Sequence, residues 1–143
     1  MSVAAILNSK GRDVIAERGE TLLGDVCKVL GKNRIGAILV TDPEGHIEGI
    51  ISERDIVRAI GESGTAALSE PVSRFMTSKV VTCAEADSIN EVMAKMTAGR
   101  FRHVPVLEDG KVAGVISIGD VVKHKIAQVE HEAEQMRQYI TMT

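Results

Sequence analysis

Gly49-Ile50-Ile51-Ser52-Glu53-Arg54-Asp55 and Gly114-Val115-Ile116-Ser117-Ile118-Gly119-Asp120 spell one pattern twice: glycine, two apolar residues, serine and, three positions on, aspartate. Asp55 and Asp120 stand 65 residues apart. Working outward, Val14-Ile15 matches Val80-Val81, Arg34 matches Arg100 and Val40 matches Val106, all at a spacing of 66. The missing residue falls where Asp42-Pro43-Glu44-Gly45 is answered by Glu108-Asp109-Gly110, turn chemistry that joins antiparallel strands. A deletion at a hairpin tip is what a duplicated structural unit tolerates.

Each half reads in the same order. A short β segment (Val14-Ile15; Val80 to Thr82) precedes an amphipathic helix, with Leu22, Leu23, Val26, Val29 and Leu30 in one half and Ile89, Val92, Met93 and Met96 in the other at helical spacing. Hairpin strands follow, Gly36 to Thr41 with His46 to Ile51 and Arg102 to Leu107 with Lys111 to Ile116. Their near-continuous apolar runs predict strands covered on both faces. A second helix starts near Ser52 and near Ser117. The fold class is α/β (α+β), with β-α-β-β-α repeats at 10–62 and 78–126, a linker at 63–77 containing Pro71, and a C-terminal amphipathic helix at 127–143. Units of about 50 residues lie near the lower limit for independent folding, so the halves are expected to pack as one module.

Ser-x-x-Asp after an apolar strand has a structural reading, the capping box, in which serine and the acidic residue three positions later satisfy a helix N-terminus. The functional reading uses the same geometry. A helix start offers free N–H groups and a positive dipole end to an anion, and an ionised aspartate accepts from both hydroxyls of a ribose. Capping leaves the shared glycine unexplained, whereas close backbone approach to a ligand would explain it.

The doubled Gly-apolar-apolar-Ser-x-x-Asp, set in repeated β-α-β-β-α units over about residues 10 to 126, resembles the nucleotide-binding motif of cystathionine β-synthase (CBS) domains. The resemblance implies a tandem pair, a Bateman module, packed with pseudo-twofold symmetry around two clefts for adenosine ligands. It implies that Asp55 and Asp120 hold ribose with Ser52 and Ser117 beside them. Val14 and Ile15, or Val80 and Thr82, would line the adenine pockets with Ala37-Ile38 and His103-Val104. In such pairs phosphate groups lie near the interface of the halves. The Asp55 cleft would then draw on Arg54, Arg100, Arg102 and protonated His103, the Asp120 cleft on Lys32 and Arg34, which makes the first the expected polyphosphate site.

Composition narrows the alternatives. With 143 residues, 44% of them hydrophobic, a net charge of -3 and three aromatic residues (Phe75, Phe101 and Tyr139), the chain can bury a core but offers no basic, base-stacking surface for nucleic acid. No apolar run is long enough for a membrane span, and Met1 to Asp13 lacks the basic start and long apolar core of an export signal, so a cytoplasmic location is expected. Cys27 and Cys83 form no CxxC pair. Cys27 reads as core and Cys83 as partly exposed; His46, His124 and His131 have no metal-site spacing and read as surface. No metal and no catalytic cofactor is expected.

Val122, Ile126, Val129, Ala133, Met136 and Ile140 recur at heptad steps near the end of the chain, which favours a homodimer over packing on the module. The functional expectation is a non-catalytic regulatory module that binds AMP, ADP or ATP, with NAD(H) and S-adenosylmethionine as further candidates, and that acts on an effector protein. The alternative is a ligand-independent dimerisation or adaptor module.

Overall fold

The computed structural model describes residues 1–142. In chain order its elements are α1 (Val3–Lys10), β1 (Ala16–Glu17), α2 (Leu23–Asn33), β2 (Ala37–Thr41), β3 (Ile47–Ser52) and α3 (Glu53–Ser63). After two 3-10 turns (Gly64–Ser69 and Val72–Arg74) come β4 (Cys83–Ala84), α4 (Ile89–Gly99), β5 (His103–Glu108), β6 (Lys111–Ser117) and α5 (Ile118–Met142). Mixed α/β content in two equivalent halves is as the sequence predicts.

The strands form two three-stranded sheets, β1-β2-β3 and β4-β5-β6, each with one parallel and one antiparallel pairing. Their registers superpose at the sequence spacing of 66, since Glu17 faces Val40 as Cys83 faces Val106. Beyond the hairpin the spacing drops to 65, with Val40 facing Gly49 and Val106 facing Gly114. The shorter hairpin turns through Asp109 and Gly110, both at positive φ, the pair of left-handed residues that a two-residue turn requires. In the longer one, Asp42 Oδ1 accepts from the backbone N–H groups of Glu44 and His46, both at 2.9 Å. The short β segments lie later than the sequence predicts: Ala16–Glu17 and Cys83–Ala84 pair with the sheets, while Val14-Ile15 and Val80 to Thr82 lead into them.

Two cores result, one per repeat. Leu23, Val26, Leu30, Ile38, Val40 and Ile51 bury together in the first half, and Ile89, Val92, Met96, Val104, Val106 and Ile116 in the second. The segment preceding each repeat serves the other one. Helix α1, for which the sequence reading had no element, sinks Val3, Ile6 and Leu7 into the second core, each at most 1% exposed. The linker contributes Ala67 and Val72 to the first core, and so is a packed arm. Backbone bonds repeat the exchange: Val3 N–H donates to Asp87 O and Val72 N–H to Thr21 O. Thr21 and Asp87 are 66 residues apart, Val3 and Val72 69, so the α1 side holds three more residues between arm and repeat.

Candidate functional site

Both Ser-x-x-Asp motifs are capping boxes. Asp55 N–H donates to Ser52 Oγ (3.3 Å), while Asp55 Oδ2 accepts from Ser52 N–H (2.9 Å) and from its hydroxyl (3.0 Å). Asp120 N–H likewise donates to Ser117 Oγ (3.1 Å) and Asp120 Oδ2 accepts from Ser117 N–H (2.9 Å). Capping uses only one oxygen of each carboxylate, so the structural and functional readings coexist.

The glycines of the motif answer to packing. A Cβ on Gly49 would lie 2.5 Å from Met76 Sδ and 2.9 Å from Thr77 O, and one on Gly114 would lie 2.7 Å from Leu7 Cδ2. Close approach is needed, as the sequence suggests, but by the exchanged arms.

Two hollows lie between elements of the two halves. The deeper, of about 330 Å³, is lined from the first repeat by Val14, Ile15, Arg34, Ala37 and Ile38 and from the second by His103, Val115 and Ser117, with Lys10 and Asp13 at its N-terminal side. Asp120 joins it through Lys10, whose ammonium lies 2.6 Å from Asp120 Oδ2 and also donates to Val115 O at 2.9 Å. Burial alone would raise the Asp120 carboxyl, but the bonds from Lys10 and from Ser117 N–H and hydroxyl outweigh it and hold the group below its ordinary range.

The shallower hollow, about 410 Å³, gathers Arg54, Arg100 and Arg102 with Met96, Thr97, Phe101 and Ile118. Among the described residues no carboxylate pairs with any of the three guanidinium groups. Asp55 does not line this hollow; its nearest cation is Arg58 of its own helix, at 3.7 Å and two-thirds exposed.

The sequence assignments therefore divide. Val14, Ile15, Arg34, Ala37, Ile38 and Ser117 meet in one cavity with Asp120 at its edge. Lys32, Val80, Thr82 and Val104 line neither hollow; Lys32 is solvent-exposed and Val104 is fully buried. His103 is a correction. It lies in the Asp120 cavity and not among the three arginines, and burial first, then Lys10 and Arg102, lower its pKa against the opposing pull of Asp120 and Glu53. The shift favours the neutral imidazole, so His103 leaves the tally of cations. Lys10 enters that tally instead. The spacing of 66 does not reveal it, because the arms repeat at 69, where Lys10 answers Lys79, although Val3, Ile6 and Leu7 at i, i+3 and i+4 mark the helix that carries it.

Cys83 is 5% exposed, not partly open as the sequence reading has it, and burial followed by the charge of Asp87 pushes its thiol up to about 11, which leaves it protonated and unreactive.

The CBS domain family matches the chain twice, over residues 6–62 and 72–127. The chain belongs to this family. The CBS-domain protein ATU1752 of Agrobacterium tumefaciens, of known crystal structure, is similar at 45% identity and a TM-score of 0.85, over 87% of this chain and 99% of that one. The CBS domain protein PAE2072 of Pyrobaculum aerophilum, solved in complex with AMP, is 27% identical with a TM-score of 0.75, over 84% of this chain and 89% of its own. Among curated relatives, the mitochondrial CBS domain-containing protein CBSX3 of Arabidopsis thaliana is 29% identical over 97% of this chain and 71% of its own length. Other CBS relatives of that plant are far longer, and the chain spans only 22% of CBSCBSPB2.

Proposed function

We propose that this CBS pair is a non-catalytic regulatory module that binds an adenosine nucleotide, with the Asp120 cavity as its main site. One observation carries the reading: residues that the family resemblance assigns to adenine (Val14, Ile15, Ala37, Ile38) and to ribose or phosphate (Ser117) come from different repeats and share one cavity, with Asp120 at its edge through Lys10. About 330 Å³ is at the small end of ligand pockets, which suits one nucleoside unit better than a dinucleotide such as NAD(H). The AMP complex of the Pyrobaculum relative supports the ligand class. Arg34 and Lys10 supply cations for a phosphate group.

A second reading concerns assembly. The heptad positions Val122, Ile126, Val129 and Met136 are 45% to 63% exposed on α5, which leaves an apolar stripe for a second copy of the chain. Dimerisation and nucleotide sensing are compatible, and an effector protein would read the bound state. The compartment is taken to be a reducing one such as the cytoplasm.

Calorimetry with AMP, ATP and NAD(H) tests the function. A ligand of about 23 heavy atoms at ~0.3 kcal/mol each binds near 10 μM, and AMP is expected in that range. Absence of heat with every adenosine ligand at millimolar concentration would leave the adaptor reading in its place.

A further inference from the structure

The two clefts differ in the contact that a lysine of the exchanged arm makes with the motif aspartate. Leu7 and Met76 occupy equivalent places, over Gly114 and Gly49, yet six residues lie between Leu7 and Val14 and three between Met76 and Val80. Helix α1 runs on to Lys10, whose ammonium donates to Asp120 Oδ2 and Val115 O. At the arm spacing of 69 the linker carries Lys79 in the place of Lys10, and among the described residues no ion pair joins it to Asp55, whose one ion pair is with Arg58.

Lys10 is firmly based, because Ile6 and Leu7 bury in the second core, and Arg12 ties the end of the helix to Glu85 and Asn8. Its side chain is 37% exposed and Asp120's 23%, so the pair is open to solvent on one side and can exchange partners. The cavity holds Arg34 as a second cation and Asp13 as a carboxylate, with Asp120 at its edge through Lys10. The cap and Lys10 both use Oδ2, so a ribose whose two hydroxyls bridge both oxygens of the Asp120 carboxylate meets, at Oδ2, an ammonium already bonded there.

We propose that Lys10 is a built-in competitor for Asp120 that makes this cleft select ligands with an anionic 5′ group. A phosphate gives the displaced ammonium a new partner beside Arg34, so Lys10 trades one charge-assisted bond for another. A neutral nucleoside displaces it and offers nothing in return. The inference rests on the adenosine-ligand reading of the cavity and adds the selection to it.

The test titrates AMP and adenosine into an Asp55→Ala background, which leaves the Asp120 cleft as the ribose site, and compares Lys10 with Lys10→Met and Lys10→Arg. The lysine parent and the arginine variant should bind AMP at least tenfold more tightly than adenosine. In Lys10→Met adenosine should bind more tightly than in the parent and AMP more weakly, so that the ratio falls tenfold, about 1.4 kcal/mol. Adenosine binding no tighter in Lys10→Met, or an unchanged AMP-to-adenosine ratio, overturns the exchange while the nucleotide reading stands. A parent that binds neither ligand overturns the nucleotide reading and the exchange with it.

Discussion

Arg34 and Arg100 end α2 and α4 with φ of 54° and 57°, in the left-handed region where a side chain costs roughly 1 kcal/mol and glycine is relaxed. Each follows the same cap, with Ile35 N–H donating to Leu30 O and Phe101 N–H to Met96 O, and each opens onto a different hollow. An arginine held in a glycine's conformation points to use of the side chain. Arg34→Gly is expected to keep or raise stability, by up to about 1 kcal/mol, and to weaken AMP binding several-fold. Loss of stability with unchanged AMP affinity in urea unfolding and calorimetry would assign Arg34 a purely structural role. His103 adds a pH dependence. Its folded pKa lies below the unfolded value of about 6.5, so below that pH the unfolded chain takes up the proton first and stability falls as pH falls through the folded value. Wild type should lose more stability than His103→Gln between about pH 7.5 and 5.5 in urea titrations. Equal losses would mean that another group titrates.

At the scale of elements, α1 decides how the halves hold together. Its apolar face completes the second core, while Gly114 leaves the room that Leu7 fills. Leu7→Ala should therefore cost about 2–5 kcal/mol, as a truncation inside a repeat such as Met96→Ala would. A loss below about 0.5 kcal/mol in chemical denaturation would make α1 peripheral. Periodicity and the repeat made the paired sheets legible in the sequence, because apolar runs and turn residues act locally. The exchange of arms was not legible, since which half a segment packs against depends on contacts between residues far apart in the chain, such as Val3 with Asp87. The same non-locality hid Lys10 and moved His103 to the other cavity, whereas the capping boxes could be read from four residues alone.

Across the whole molecule, α5 runs without a break from Ile118 to Met142, so the boundary expected at 126/127 falls inside one helix; Thr143 lies outside the described residues. Val121 is buried, and Val122, Ile126, Val129 and Met136 are exposed, so the stripe does not pack on its own module. Truncation after Lys125 should lower the solution mass from dimer to monomer, read by light scattering. A dimer that survives truncation would place the interface on the body of the module. The function turns on whether the Asp120 cavity takes a nucleotide. The direct measurement is AMP calorimetry on wild type, Asp120→Ala and Asp55→Ala chains with thermal unfolding confirming that each is folded. Binding near 10 μM that Asp120→Ala weakens at least tenfold, and more than Asp55→Ala does, is the predicted result. AMP affinity unchanged in folded Asp120→Ala would contradict it.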